Sequence, residues 1–470
     1  MGSNSIAVDV DASINGEEEE EEEAQIQSPL ESSKPPWEPS KERLSLIHKK
    51  TSEDPRLLSP AAGKTSCCIF RVPASLVEAN GRSYQPHIVS IGPYHRGDPA
   101  LQMIEEHKWR YLGSLLSRTE AAGVSLRDIM KGVEPLVPAA RECYSEAVHL
   151  DTEEFVEMMV VDGLFMIELF RKTARIVAFE ANDPLVTMVW IFPFFYRDFL
   201  RLENQIPYII LERLFDLTKV NPHESEYSLA EIALEFFNNA MQRPDEAIAV
   251  YHGTAGRHLL DLVRSSFIPH EFDQLANQPR DPVPTHVIHC VSKLRRAGIK
   301  LRPTRGHRSF LLVAFRGGVL EMPTITIDDF MCSFLLNCVA YEQCYNNGSK
   351  HITAYATFLD CLINTHRDVE YLCDHNIVEN YFGTDSEVAH LINNLGKDIA
   401  FDIDRCYLAK LFDDVHKYYN NSWHVQWASF KYTYFETPWS FISAFAALVL
   451  LILTLAQTIY TVYGFYAPNG

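Results

Sequence analysis

A long uncharged apolar run near the C-terminus limits the kinds of protein that this chain can be. Trp439 to Tyr460 reads WSFISAFAALVLLILTLAQTIY, and no charged residue occurs from Thr437 to Gly470. As a helix this run rises about 33 Å, enough to cross a bilayer core of roughly 30 Å. Trp439 and Tyr460 flank it as interfacial aromatic residues do. A buried core helix is the alternative, which the uncharged length disfavours. We expect Trp439 to Tyr460 to bind the lipid bilayer as an anchor that ends the chain.

The charges around this run bear on its orientation. Lys417 and Lys431 lie upstream and no base lies downstream, which favours a cytosolic body under the positive-inside rule. The acidic N-terminus does not look like a signal peptide. Glycosylation sequons begin at Asn347 and Asn420, and they would be used only if the body faced the other side. We interpret them as chance matches and expect a single-pass plasma-membrane protein with its bulk in the cytosol.

The rest of the chain divides by composition. Residues 1–65 contain seven consecutive glutamates, Glu17–Glu23, with many prolines and serines, and they predict a disordered acidic tail in which Leu44, Leu46 and Ile47 can form a short helical turn. Residues 66–436 have the hydrophobic content of a globular domain, and 437–470 form the anchor and a short tail. A Pro-rich stretch at 267–285 is the candidate boundary between two lobes of the body.

The overall charge of the chain argues against nucleic acid as a partner. The chain has 62 acidic and 42 basic residues, a formal net charge of −20. Because a duplex is bound mainly by neutralising its phosphates with Lys and Arg, this balance disfavours nucleic acid as a partner.

Apolar periodicity predicts that the body is mainly α. Leu101, Ile104, Leu112 and Leu115 share one helical face, with the charged residues of that segment, Lys108 among them, expected largely elsewhere. Phe155–Phe170 is too apolar for a surface helix and too short and acidic for a second membrane span, so it predicts the central core helix. Further helices are expected at Asn204–Phe215, Asp328–Tyr345, Ile352–Thr365, Glu387–Leu395 and Ile403–Tyr419.

A single β signal interrupts this helical pattern. Phe310–Phe315 and Val319–Met322 are strand-like runs joined by Arg316-Gly317-Gly318. Paired glycines accept the positive φ of a tight turn, so the sequence predicts one small β-hairpin.

The cysteines do not form a metal motif. Cys332, Cys338 and Cys344 are evenly spaced by six residues, but six residues of helix turn through about 600°, so the three thiols cannot converge. They predict buried thiols. Dinucleotide, zinc and serine-hydrolase motifs also lack a supporting context, and we expect no cofactor and no metal.

A few titratable residues are weak candidates for catalysis. Asp162 lies within the apolar core segment, where burial would raise the pKa of a carboxyl group. Glu203 and His95 are the other candidates. Buried acids more often pair or cap than catalyse, so a structural role is the favoured interpretation.

One stretch reverses the charge of the chain locally. From residue 293 to residue 308 there are seven bases and no acid: Lys293, Arg295, Arg296, Lys300, Arg302, Arg305 and Arg308. A solvated face is the default interpretation. The alternative is a docking patch for an acidic partner, for anionic lipid, or for the chain's own Glu17–Glu23.

Several motifs in a fixed order resemble one plant family. They are Ser90–His95 (SIGPYH), Glu106–Leu112 (EHKWRYL), Val161–Gly163 (VDG), Leu202–Pro207 (LENQIP), His258–Leu262 (HLLDL), Glu342–Cys344 (EQC) and Pro438–Trp439 (PW). From about Ile69 to Tyr463 the chain resembles the plant domain-of-unknown-function 247 family, also called the UPF0481 proteins. It departs from the family pattern at Leu164, where Cys is frequent, and at Arg296, where an acid is common.

The resemblance implies a mostly helical body held to a membrane by its C-terminal helix, with no established enzymatic activity. Some grass members look like pollen-side determinants of self-incompatibility. The leading hypothesis is therefore a membrane-anchored recognition or signalling protein with an unidentified protein partner. The rival hypothesis is a membrane-tethered hydrolase or transferase that uses Asp162, Glu203 and His95.

Overall fold

A computed structural model describes residues 37–53, 58–220, 224, 226–272, 287–304, 309–403, 406–420 and 438–466. Several sequence predictions lie wholly or partly outside these residues. They concern Glu17–Glu23, most of the Pro-rich stretch 267–285, residues 404 and 405 of the helix predicted from Ile403, the end of the sequon at Asn420, Lys431, and the bases Arg305 and Arg308.

The chain divides into two compact units, residues 1–54 and 55–470. In the first unit, helix α1 (Lys41–Ser52) begins after Ser40, whose hydroxyl accepts a hydrogen bond from a first-turn N–H at 3.2 Å. A Ser cap of this kind satisfies a donor that the helix itself leaves unpaired. The helix contains Leu44, Leu46 and Ile47, where a short helical turn was expected, and at three turns it is longer than that expectation.

The second unit is mainly α, as the apolar periodicity predicted. Its first group of helices is α2 (Ala74–Asn80), α3 (Gln102–Ala121), α4 (Leu126–Val133), α5 (Val137–Glu142), α6 (Thr152–Thr173), α7 (Pro184–Thr187), α8 (Phe192–Asp198), α9 (Tyr208–Leu217), α10 (Leu229–Met241), α11 (Asp245–Ala249) and α12 (Leu259–Ser265). The second group is α13 (Val291–Arg296), α14 (Asp329–Cys344), α15 (His351–Leu362), α16 (His366–Asp374), α17 (Asp385–Leu395) and α18 (Ala409–Tyr419). Single 3-10 turns occupy 81–83, 99–101, 134–136 and 189–191.

Helix α6 runs through the centre of the core. Asp151 caps it in a reciprocal arrangement, since its carboxylate accepts from the Glu154 N–H at 2.8 Å and the Glu154 side chain accepts from the Asp151 N–H. From Phe155 to Phe170 every side chain except that of Glu157 is buried. The prediction of a central core helix is confirmed.

Helix α3 confirms one prediction and corrects another. Leu101, which immediately precedes it, and Ile104, Leu112 and Leu115 are buried on one face, as their spacing predicted. Lys108 was expected on the solvent side, but it is only 1% exposed. It lies four residues after Ile104 and four before Leu112, so helical geometry places it on the buried face.

The other predicted helices are present with shifted starts. The helix expected from Asn204 begins at Tyr208, because Asn204 faces the interior and bonds elsewhere. The helix expected from Ile403 begins at Ala409. Asp328 caps α14 as predicted, through the Met331 N–H at 2.7 Å.

The strands form two small sheets. Strands β2 (Ala314–Arg316) and β3 (Val319–Pro323) form the predicted antiparallel hairpin, with both turn glycines at positive φ. The first strand is shorter than the predicted Phe310–Phe315, because 310–313 are not strand, and it extends to Arg316. Strand β1 (Lys300–Thr304) adds a parallel partner to β3, giving the order β1-β3-β2. Strands β4 (Ile325–Ile327) and β5 (Val378–Asn380) form a separate parallel pair. The sequence predicted the hairpin but not these parallel pairings.

The last described element is the apolar helix α19 (Pro438–Tyr466). Its segment Ile442–Tyr463 has a mean hydropathy of 2.3, and none of that segment's apolar window is buried. A core helix of a soluble protein would be covered by its neighbours, whereas Leu450 here is 64% exposed. The helix is long and apolar enough to cross a membrane.

Candidate functional site

Four of the seven motifs that carry the family resemblance, SIGPYH, EHKWRYL, VDG and LENQIP, meet at one loop. We call residues 86–96 the clamped loop, because side chains from helices on several sides bind its backbone. It contains the SIGPYH motif and connects the 3-10 turn at 81–83 to the turn that precedes α3. Loops without backbone partners of their own must satisfy their buried N–H groups by such side-chain bonds.

Asp198, at the end of α8, binds the start of the clamped loop. Its carboxylate accepts from the N–H groups of His87, Ile88 and Val89 at 2.8 to 3.3 Å. Arg201 donates to the same carboxylate at 3.0 Å. Burial alone would raise the pKa of Asp198, but the bond with His87, the charge of Arg201 and the backbone donors hold it below 3.8. Asp198 is therefore ionised and fully engaged.

Asn204, in the LENQIP motif, binds the middle of the loop. Its side-chain oxygen accepts from the Ile91 N–H at 2.7 Å, and its amide donates to the carbonyls of Val89 and Asp198 at 3.1 and 2.9 Å. The neighbouring Gln205 donates to carbonyls at the end of α8 and just beyond it. This part of the motif holds backbone in place.

Asp162 on α6 and Lys108 on α3 form a buried ion pair beneath the loop. The Lys108 Nζ lies 2.7 Å from the Asp162 carboxylate and also donates to the Ser90 carbonyl at 2.5 Å. The other oxygen of Asp162 accepts from the Gly92 N–H at 2.8 Å. The predicted catalytic candidate Asp162 thus binds one cation and one backbone N–H.

Glu203 and His95, the other two candidates, lie together at the end of the loop. The His95 Nε2 is 3.4 Å from the Glu203 carboxylate. That carboxylate also accepts from Arg71 at 2.9 Å and from the Val72 N–H at 2.7 Å. Burial opposes ionisation of Glu203, but His95, the Val72 N–H and Arg71 outweigh it and lower its pKa. The structure brings Glu203 and His95 together and gives Asp162 different partners.

Sequence reasoning did not single out two side chains on which the loop depends, Lys108 and Asp198. Lys108 could have been found, because it interrupts an apolar face at helical spacing. Asp198 and Arg201, three residues apart in a strongly aromatic segment, gave a weaker signal of a buried pair.

A polar cleft of about 520 Å³ opens elsewhere on the body, between α10 and α11. It is lined by Thr173, Glu235, Asn238, Asn239, Asp245, Glu246, Ile248, Ala249 and His252. Burial, with the nearby charges of Glu231 and Asp245, raises the pKa of Glu235 despite the opposing charge of His252. None of the predicted catalytic residues lines this cleft.

In the described part of the chain, the cysteines and the other residue types that bind metals are not grouped into a metal site. Cys332 and Cys338 are buried and Cys344 is partly buried, and all three are free thiols. Burial raises the pKa of Cys344 to about 12, which makes it a poor thiolate at neutral pH. Within the described ranges, no three His, Cys, Asp or Glu side chains are grouped to hold a metal ion.

The basic stretch spans two elements. Lys293, Arg295 and Arg296 lie on α13, and Lys300 and Arg302 lie on β1. Arg295 is partly withdrawn from solvent, since its guanidinium stacks on the Tyr371 ring at 4.1 Å from the centroid.

Gly92 in the clamped loop should be less replaceable than Gly97, which lies just beyond the loop. It has φ +75, and a Cβ there would lie 2.5 Å from the backbone oxygen of Gln205. Gly97 has φ +82, but a Cβ there would meet nothing within 4 Å. Positive φ costs alanine about 1–2 kcal/mol at either position. We expect Gly92→Ala to lower the free energy of unfolding by about 1–3 kcal/mol more than Gly97→Ala, measured by urea denaturation of the full chain in detergent. Equal losses would contradict the predicted clash.

The fold and the loop define a class of protein: a helical body in which buried polar and charged side chains hold one loop, followed by an apolar helix long enough to cross a membrane. A family model described as a plant protein of unknown function, DUF247, matches residues 69–453. The chain belongs to this family.

Two relatives from Arabidopsis thaliana match over most of their length. UPF0481 protein At3g47200 is 36% identical over 427 residues, covering 87% of this chain and 88% of the relative. A second UPF0481 protein, At3g02645, is 22% identical over 509 residues, covering 89% and 94%. No solved structure matches the chain. The family resemblance stated from the motifs is confirmed.

Proposed function

We propose that this protein is a membrane-anchored recognition or signalling protein without catalysis, whose body is bound by another protein. The observation that carries the proposal is which groups the candidate carboxylates contact. A general acid or base needs a lone pair or proton directed at a substrate. The carboxylate oxygens of Asp162 and Glu203 accept hydrogen bonds from backbone N–H groups and from cationic side chains of the protein itself.

The finer proposal is a pollen-side determinant of self-incompatibility in a grass, held in the plasma membrane with its body in the cytosol. Membership of a family in which some grass members look like such determinants supports the role, and the bases upstream of α19 support the orientation. Asn347 provides a check on orientation, because it lies exposed in a turn after α14. A glycosidase-sensitive shift in electrophoretic mobility that Asn347→Gln abolishes would contradict a cytosolic body.

The test is genetic. We expect the protein to be restricted to pollen, and its alleles to segregate with the pollen rejection phenotype in crosses. Expressing a second allele in pollen should change which stigmas reject that pollen. Broad expression in root and leaf, with alleles that segregate independently of rejection, would contradict the self-incompatibility role.

A matched variant separates recognition from the rival hydrolase or transferase. Glu203→Gln keeps an oxygen that can accept from the Val72 N–H but removes the charge beside His95. Under the recognition proposal, pollen carrying this variant keeps its phenotype in proportion to the amount of folded protein. A normal amount of folded protein with a lost phenotype would favour the enzyme.

A further inference from the structure

The register of the three-stranded sheet places three bases on one face. Lys300 on β1 and Arg316 on β2 both lie opposite Val319 of the central strand, and Arg302 lies two residues beyond Lys300. Residues in register, and residues two apart on a strand, face the same side of a sheet. All three bases are exposed. We call Lys300, Arg302 and Arg316 the basic face.

The other side of the sheet faces the core, which fixes the orientation of the basic face. Leu301 and Leu320 are 3% and 0% exposed, and Phe315 packs partly buried against the same core. Because these residues alternate with the bases, the sheet cannot turn its charged side inward without exposing its apolar side. The basic face is a fixed part of the surface.

The charges of this face are not neutralised by ion pairs within the described residues. None of Lys300, Arg302 and Arg316 forms one there, and neither do the exposed Lys293 and Arg296 on the preceding helix α13. Many other bases of the body, Arg71 and Arg110 among them, are paired with carboxylates.

One acidic residue of the sheet lies on the same side as the basic face. Glu321 lies opposite Arg302 on β3 and is half-buried. The remaining positive charge stands out in a chain of net charge −20, and it creates a local potential that attracts an anionic surface.

The same sheet is connected by a short length of chain to the apolar helix. The ring of Tyr418, on α18, packs against Phe315 of β2 with centroids 5.7 Å apart. Helix α18 ends at Tyr419 and α19 begins at Pro438, so 18 residues (437 − 419) separate them. Fully extended, 18 residues span at most about 65 Å. The sheet is therefore confined near any bilayer that contains α19, where anionic headgroups are at high local concentration.

We propose that the basic face, with Lys293 and Arg296 beside it in sequence, docks on the anionic headgroups of the bilayer leaflet that faces the body. The proposal deepens the proposed function and rests on its membrane anchoring. Cytoplasmic leaflets carry the anionic lipids of the cell, and each base brought to such a surface strengthens binding about fivefold. Docking would orient the body, so that a fixed part of its surface faces a partner.

The experiment uses the full chain reconstituted through α19 into vesicles of phosphatidylcholine, with or without phosphatidylserine. Hydrogen–deuterium exchange is followed in the peptides that cover α13, β1 and β2. We expect exchange there to slow only in the vesicles that contain phosphatidylserine. The slowing should disappear at about 1 M NaCl, where the screening length falls to about 3 Å.

A charge-reversal variant and a matched control sharpen the test. Lys300→Glu/Arg302→Glu/Arg316→Glu should weaken docking by at least about 100-fold, from three bases at about fivefold each, and so abolish the slowed exchange. Arg127→Glu/Lys131→Glu/Lys397→Glu changes the net charge equally at exposed bases elsewhere and should leave it unchanged. Both variants should remain folded, since every substituted side chain is exposed, although Arg302→Glu puts a like charge opposite Glu321 and should lower the unfolding temperature slightly.

The outcomes separate failure of docking from failure of anchoring. A chain that does not float with the vesicles would overturn the anchoring and the docking with it. A chain that floats with them but exchanges equally in neutral and anionic vesicles would overturn docking alone. Protection in neutral vesicles that is lost on deleting residues 1–36 would assign the face to the acidic run Glu17–Glu23, which also overturns the proposal.

Discussion

Removing residues 438–470 should move the protein from the membrane pellet to the soluble fraction almost completely. The segment Ile442–Tyr463 exposes its apolar side chains, and as a helix it is long enough to cross the hydrocarbon core. Its loss removes the element whose burial in lipid we expect to hold the body at the membrane. The measurement is ultracentrifugation of cell lysates followed by immunoblotting, with alkaline carbonate extraction of the pellet.

The control is a chain in which α19 is replaced by an unrelated Leu/Ala helix of equal length. This chain should remain in the pellet, because apolar length rather than specific sequence sets insertion. The truncated body should keep its helical circular dichroism. If the truncated chain sediments as the intact chain does, while remaining folded and unaggregated, the membrane anchor is wrong.

Lys108→Met should be among the most destabilising single substitutions in the body. It leaves the Asp162 carboxylate buried with only the Gly92 N–H as a partner, and it removes the donor to the Ser90 carbonyl. Breaking a buried ion pair by removing one partner costs about 3–5 kcal/mol. We expect a loss of that size in the free energy of unfolding, measured by chemical denaturation.

Two comparison variants identify the cause. Lys131→Met removes an exposed lysine on α4 and should change the free energy of unfolding by no more than about 0.5 kcal/mol. Lys108→Met/Asp162→Leu removes both charges and should recover part of the loss, although the Gly92 N–H then lacks its acceptor. A loss for Lys108→Met no larger than that for Lys131→Met would contradict the buried pair.

The elements that the sequence predicted well are those set by local pattern. The apolar run of α6 predicted a buried helix, and paired glycines predicted the hairpin turn, because each signal lies within one element. The spacing of Ile104 and Leu112 predicted the buried face of α3. The same spacing places Lys108 on that face. Its burial was not predicted, because a lysine is expected in solvent unless a buried partner such as Asp162 is known.

What the sequence could not provide is the pairing of distant segments. Strand β1 pairs in parallel with β3 of the hairpin, and no turn motif in the sequence predicts a parallel pairing. Asp198 binds N–H groups more than 100 residues earlier in the chain, and Asn204 does the same. Residue type alone also does not reveal the partners of a carboxylate, so the contacts of Glu203 with Arg71, the Val72 N–H and His95 could not be predicted.

The contacts of the clamped loop predict how missense alleles in this family will behave. Its backbone depends on Asp162, Asp198 and Asn204, which lie at least 70 residues beyond the N–H groups that they bind, so a short fragment around the loop lacks what holds it. A missense change at any one of them would raise the unfolded fraction that proteases clear. Plants with such alleles would behave as nulls through scarcity of the protein, and a mutational screen would recover these motifs whatever the molecule's task in the cell.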